Sequence, residues 1–205
     1  MKPLFSEIRS AVLVTLMLAI VCCGLYPLVV FGLAQALFPH QANGSLIVQA
    51  NGTIRGSHLL GQQFNGAKYF HTRPSSAGNG YDATSSGGSN LGPTSQKLRD
   101  AIAQNVSDYR VQNGLATNAT VPADAVTASA SGLDPHISLE NAELQAARVA
   151  KARSLALERV RALIAQHTDS PDLGFLGDAG VNVLELNLAL DAIGPATASI
   201  SDLVR

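Results

Sequence analysis

The stretch Gly87-Gly88-Ser89-Asn90-Leu91-Gly92-Pro93-Thr94-Ser95 runs straight into a predicted helix. Free backbone N–H groups at such a junction can hold an anion, and Gly87, Gly88, Ser89 and Asn90 are the candidate phosphate-holding residues. The Gly-Lys-Ser/Thr ending of a P-loop is missing, and Lys97 already lies inside the helix. The other reading is a glycine-rich turn chosen for its backbone angles. Tyr69-Phe70-His71-Thr72-Arg73-Pro74-Ser75 offers a different chemistry. Tyr69, Phe70 and Arg73 are residue types that dominate binding hot spots, so the segment reads either as an interface anchor or as a cover for the domain's own core.

Nucleophilic catalysis has one candidate place. Val126-Thr127-Ala128-Ser129-Ala130-Ser131-Gly132 is small and polar, and a serine within Ser129–Ser131 would make the chain a membrane-anchored, exported serine hydrolase. No serine sits in a G-x-S-x-G elbow and no histidine is tied to one by spacing; the segment equally suits a tight turn before Asp134-Pro135. His40, His58, His71, His136 and His167 show neither H-E-x-x-H nor another paired ligand spacing, so no metal site and no catalytic residue is assigned. Arg148, Lys151, Arg153, Arg159 and Arg161 have Glu140, Glu143 and Glu158 at helical spacing, which reads as a solvated helix face.

These groups must be positioned by a chain of 205 residues that is 46% hydrophobic and only 14% charged. Intrinsic disorder needs the opposite balance. A net charge of −1 offers no basic field for a phosphate backbone, which excludes a nucleic-acid partner. Cys22 and Cys23 are the only cysteines, so the rest of the chain has neither disulfides nor a cysteine-ligated zinc.

Between Arg9 and Arg55 no Asp, Glu, Lys or Arg occurs, and residues 11–38 are almost wholly apolar. That length exceeds the roughly 20 residues needed to cross a bilayer and the ~7–15 of a signal-peptide core. Ala34-Gln35-Ala36 imitates a cleavage site, which is the secreted alternative. Lys2 and Arg9 precede the span, so the positive-inside rule puts residues 1–10 in the cytoplasm, residues 11–38 in the membrane and residues 39–205 outside it. The exported part then carries twelve basic and fourteen acidic residues, net −2. This attracts cations only mildly, and no potassium site is assigned to it. Inside the span, Pro27 removes a backbone hydrogen bond and favours a kink, and Gly24 and Gly32 lie near one helical face. Gly24, Pro27 and Gly32 therefore mark a face for other membrane helices, or are residues that a lone anchor tolerates.

Beyond the span the pattern is α+β: one exported domain with a β-hairpin and three to four helices. Leu46-Ile47-Val48 and Thr53-Ile54-Arg55 flank Asn51-Gly52, a type I′ hairpin signal. Residues 61–95 are rich in glycine and serine, but Tyr69, Phe70 and Tyr81 favour an ordered, docked loop. Leu98, Ile102, Val106 and Tyr109 follow helical spacing between Thr94-Ser95 and Asn113-Gly114. Ser138 caps a second helix to about Ala152, and a third spans about Ser154 to His167. Leu184, Leu186, Leu188 and Leu190 alternate like a strand yet also fit a helix. The preferred reading is a strand at Val181–Val183 followed by a helix ending at Gly194-Pro195.

Seven blocks in order now carry a resemblance over nearly the whole chain. They are Gly24-Leu25-Tyr26-Pro27; Gln41 to Leu46; Gly61-Gln62-Gln63-Phe64 with Tyr69 to Ser75; Ser86 to Leu91; Val126 to Asp134; Ala147 to Arg153; and Val181 to Asp191. The chain resembles the KdpC subunit family of the high-affinity potassium-transporting P-type ATPase, a bacterial inner-membrane complex. The resemblance implies a noncatalytic subunit beside a channel-like potassium-binding subunit, an ATP-hydrolysing subunit and a small stabilising peptide. It also implies a catalytic chaperone that raises the nucleotide affinity of the hydrolysing subunit, with ATP as the nucleotide concerned. An exported domain lies out of reach of cytoplasmic ATP, so that effect would be indirect.

Overall fold

The computed structural model describes residues 2–193 and divides the chain into two compact units, Met1–Ile47 and Val48–Arg205. In the first unit, α1 (Lys2–Ala19) passes through a π-helical turn (Ile20–Leu25) into α2 (Tyr26–Leu37). Pro27 lacks an N–H and its ring would strike a carbonyl one turn back, so the helix widens just before it. The proline expected to kink the span therefore coincides with a wide turn that contains Gly24. The segment Leu4–Leu37 is the one helix among the described residues long and apolar enough to cross a membrane, with mean hydropathy 2.5 over its most apolar window and no part of that window buried. It starts upstream of residue 11 and takes in Glu7 and Arg9. A short helix α3 (Pro39–Ala42) follows.

The hairpin is present: β1 (Leu46–Val48) and β2 (Ile54–Ser57) form a two-stranded sheet. The turn is not the type I′ expected, because Gly52 (φ +80°) takes the left-handed conformation and Asn51 does not: the Gly52 N–H donates to Gln49 O at 2.8 Å, and Asn51 Oδ1 accepts the Thr53 N–H at 3.0 Å.

Residues 61–95 hold no helix or strand, after which α4 (Gln96–Asn113) begins where its cap says it should. Ser95 Oγ accepts the Leu98 N–H, and Gly114 closes the helix at φ +64°. After a single turn, α5 (Ala123–Val126), and β3 (His136–Ile137), α6 (Leu139–Arg153) is capped by Ser138, whose Oγ accepts the Asn141 N–H at 3.1 Å. The next helix, α7 (Leu157–Gln166), starts three residues later than its periodicity suggests, because Ser154 adopts φ +55° as the left-handed end of α6. Then come β4 (Thr168–Asp169), β5 (Gly180–Asn182) and α8 (Val183–Ala192). The strand-then-helix order of this last segment is as expected, shifted by one residue, since Asn182 caps the helix and Val183 opens it instead of ending the strand; the end expected at Gly194-Pro195 lies outside the described residues.

Strand β5 is central in an antiparallel sheet of order β3-β5-β4, with His136 opposite Asn182 and Asp169 opposite Gly180. Ala142, Ala146, Val149 and Ala150 form one face of α6, and their small side chains admit Val160, Leu163 and Ile164 of α7. Val183, Leu186 and Leu190 of α8 close the core, together with Phe70 from the long loop. Each fully buried aliphatic side chain here contributes roughly 1.5–3 kcal/mol.

Candidate functional site

The long loop is ordered by side-chain amides that replace a neighbouring strand. Asn187, fully buried on α8, accepts the Phe70 N–H and donates to the Phe70 carbonyl, both at 2.9 Å. Gln145 on α6 does the same for His71, accepting its N–H at 2.8 Å and donating to its carbonyl at 3.0 Å. Two successive residues are thus clamped on opposite sides, as β pairing would clamp them. Arg148 adds donors to the carbonyls of Ala67 (2.8 Å) and Tyr69 (2.9 Å) and to Asn113 Oδ1 (2.9 Å). Burial pushes its pKa down from the usual arginine value.

This arrangement corrects the reading of Phe70 as an interface anchor: Phe70 is completely buried in the domain's own core. Tyr69 stays partly exposed, with its hydroxyl donating to Asp191 and Arg153 over its ring at 5.0 Å. Arg73 is bound within the domain, donating to Asp134 Oδ2 at 3.0 Å. Arg148 and Arg153 are likewise not free on a solvated face; Arg153 donates to Lys68 O and pairs with Asp191, whereas Arg161 pairs with Glu158 at helical spacing and with Glu143 across from α7 to α6.

A polar cleft of 420 Å³ lies beside the clamp, lined among others by Arg73, Tyr81, Tyr109, Gln112, Asn141 and Gln145. Its floor is a closed network. Asn141 Oδ1 accepts from Tyr109 Oη (2.8 Å) and from Gln145 Nε2 (2.9 Å), and Asn141 Nδ2 donates to Asp124 (2.9 Å). Burial raises the Tyr109 and Tyr81 hydroxyls above the usual tyrosine range. Tyr81 bonds to the Arg73 carbonyl and to Thr72.

The two other sequence candidates meet each other. Gly87 N–H donates to Ser131 O at 2.8 Å, and Gly88 lies against Ala130 O. Gly87 is therefore not offering its amide to a phosphate. Asn90 takes φ +53°, and α4 does not begin until Gln96. Ser89 is exposed. Ser129 and Ser131 face one another at 3.5 Å, and Ser131 Oγ accepts the Leu133 N–H. Among the described residues no histidine reaches either hydroxyl, and the serine hydrolase reading has no support. Of the anchor residues, Gly24, Pro27 and Gly32 lie in the span, and an added Cβ at either glycine meets nothing within 4 Å.

Sequence spacing missed one cluster entirely. His136 on β3 and Asp169 on β4 meet at 2.8 Å across β5, and His58, just after β2, reaches the same Asp169 Oδ2 at 3.6 Å. Glu185 on α8 accepts His58 Nδ1 at 2.9 Å and faces His167 Nδ1 at 3.6 Å. Asp134 lies 3.7 Å from His136 Nδ1. The Asp134 carboxylate beside its ring is the main reason the His136 pKa is raised, and Asp169 acts in the same direction. The donors come from residues 58, 136 and 169, so no local motif could have announced them.

Comparison with known proteins agrees with the fold at this point. The family described as "KdpC: K+-transporting ATPase, c chain" matches residues 8–192. A relative named "Potassium-transporting ATPase KdpC subunit" from Mycobacterium tuberculosis (strain ATCC 25618 / H37Rv) is 52% identical over 187 residues, covering 91% of this chain and 98% of the relative. The protein of the same name from Nitratidesulfovibrio vulgaris is 52% identical over 192 residues, covering 93% and 96%. That from Acidobacterium capsulatum is 54% identical over 186 residues, covering 91% and 98%. With half its residues shared along nearly its whole length, and its apolar helix followed by a mixed domain, the chain belongs to the KdpC family.

Proposed function

We propose that this chain is an accessory, noncatalytic subunit of a potassium-transporting ATPase, held in the bilayer by Leu4–Leu37 with its domain outside the cytoplasm. The observation that carries this reading is a single apolar helix with no buried share, joined to a domain whose candidate nucleophiles are tied to its own loops. A helix of that kind finds its partners in lipid and in other helices. Lys2 and Arg9 at the N-terminal end of this helix, with no Lys or Arg between Phe38 and Arg55, support the outward orientation. Its companions are the potassium-binding subunit, the ATP-hydrolysing subunit and the small stabilising peptide. Any effect on nucleotide affinity is transmitted through assembly, since ATP would not reach an exported domain. On the domain, Leu173, Phe175 and Leu176 are strongly exposed in the turn between β4 and β5 and are better contact candidates than Phe70.

The test is to express the companion subunits with and without this chain and to assay copurification and potassium-stimulated ATP hydrolysis. Loss of intact complex without the chain is expected; full assembly and full hydrolysis in its absence would end the reading. A reporter at the C-terminus active only in the cytoplasm would overturn the orientation.

A further inference from the structure

We propose that His58, His136 and Asp169 form a binding site for a divalent transition-metal ion of the zinc type. The three side chains each offer one donor atom, and these donors lie within 4.8 Å of one another. His136 Nε2 and His58 Nε2 stand 2.8 and 3.6 Å from Asp169 Oδ2. A tetrahedral zinc with bonds of about 2.0–2.1 Å separates its donors by about 3.3 Å, so small side-chain rotations bring the set onto one ion without backbone movement.

The surroundings are those a metal site needs. The ring nitrogen of each histidine that points away from Asp169 faces a carboxylate: His58 Nδ1 meets Glu185 at 2.9 Å, and His136 Nδ1 meets Asp134 at 3.7 Å. A carboxylate behind a ligating imidazole fixes its orientation and raises its basicity. Both carboxylates are anchored in turn: Asp134 by Arg73 at 3.0 Å, and Glu185 on the first turn of α8. Asn182, fully buried, donates to the His58 carbonyl at 3.0 Å and holds that residue against the sheet.

The sheet explains why the donors can converge. His136 and Asp169 belong to the two outer strands and project on the face that Gly180 and Asn182 share on the central one. Gly180 leaves this face open, since a Cβ there would come within 3.0 Å of the His136 Cβ. The side chains of His58, His136 and Asp169 are 34%, 33% and 47% exposed, which gives an ion an entry path and leaves water a coordination position. Two imidazoles with one carboxylate select zinc, cobalt or nickel over magnesium and calcium, which prefer all-oxygen shells. Glu185 and Asp134 supply negative charge for the complex. The inference does not depend on the pump assignment.

The experiment uses the full chain in detergent, free of any histidine tag, with Zn²⁺ as the probe and Co²⁺ as its spectroscopic substitute. We expect one Zn²⁺ per chain with micromolar or tighter Kd, a rise in Tm on zinc addition, and visible Co²⁺ bands of low coordination number that zinc abolishes. Asp169→Asn and His136→Gln should each weaken binding by about tenfold or more, whereas His40→Gln should leave it unchanged. Asp169 is nearly half exposed, so Asp169→Asn carries the test even where His136→Gln fails to fold. Absence of saturable binding, binding that survives Asp169→Asn, or binding lost on His40→Gln would each overturn the site.

Discussion

Asn187 brackets Phe70: its side-chain oxygen takes the Phe70 N–H and its nitrogen gives to the Phe70 carbonyl, both at 2.9 Å and both buried. A backbone residue in an irregular loop thereby gains the pairing a strand would give it, and its aromatic ring is fixed in the core. Buried backbone groups require such partners, because water cannot replace them.

Asn187→Leu should therefore destabilise the domain well beyond a surface change. It leaves one donor and one acceptor unpaired, each costing about 1–3 kcal/mol, so a loss of about 3 kcal/mol is expected. Urea unfolding of the full chain in detergent checks this. A loss under about 1 kcal/mol would show that water or a shifted loop satisfies Phe70 instead.

Gly132 is a second place where the backbone leaves no choice. It takes φ +68°, and a Cβ would lie 2.6 Å from both Ala77 N and Gly87 O, which are backbone atoms with no easy escape. Gly132→Ala should cost about 2–4 kcal/mol and loosen the joint between the glycine-rich loop and the serine turn. Protease nicking within residues 75–90, faster in the variant than in the parent, is the expected signature; equal rates would mean the joint tolerates the methyl.

Local rules were enough for α4 and α6. Ser95, Ser138 and Gly114 cap within a few residues of what they cap, so their positions can be read in order along the chain. The change from strand to helix at Asn182 is equally local, since Asn182 Oδ1 accepts the Glu185 N–H. Gln145 and Asn187 were not readable in this way: their partners are backbone groups 74 and 117 residues away, and nothing in their own neighbourhood distinguishes a buried amide from an exposed one. The same holds for Arg148, whose helical spacing suggests a solvated cation although its donors end on loop carbonyls. The histidine–aspartate cluster needed the order of the sheet, which places β4 and β3 on either side of β5. The wide turn at Ile20–Leu25 was half visible, through Pro27 alone.

His71 should make the clamp sensitive to acid. Its Nε2 lies 2.9 Å from Gly66 O and its Nδ1 3.1 Å from Gln112 Oε1. Burial is the main influence and lowers its pKa below the ordinary 6.5; the Arg148 charge acts in the same direction, against the bonds to Gly66 and Gln112. The unfolded chain takes up a proton near pH 6.5 while the folded ring stays neutral. The stability this ring supports is thus complete above that pH and declines as pH falls below it. Unfolding midpoints measured at about pH 7.5 and 5 should fall less steeply in His71→Gln than in the parent. Parallel falls would mean that the ring does not titrate differently on folding.

Phe175, 74% exposed, has little of its own fold to support, whereas Phe70 has a great deal. Phe175→Ser should leave the unfolding midpoint of the isolated chain within about 0.5 kcal/mol of the parent and reduce recovery of the companion subunits. If recovery is unchanged, the turn between β4 and β5 faces solvent in the complex.

Gly24 separates the needs of the anchor from the needs of the assembly. It lies in the wide turn ahead of Pro27, and a side chain there touches nothing else in its own chain. Leucine should therefore be accepted by the isolated helix, which gains apolar surface for lipid and loses no contact. A helix packed against Gly24 would instead be pushed away, because small residues are what let two backbones come close in a membrane. Gly24→Leu is expected to insert and fold normally while copurification of the pump subunits drops roughly tenfold, a change of ~1.4 kcal/mol in association. Equal recovery of the complex would assign Gly24 to the local geometry of the turn, and contact with the other membrane helices would then have to lie elsewhere along Leu4–Leu37.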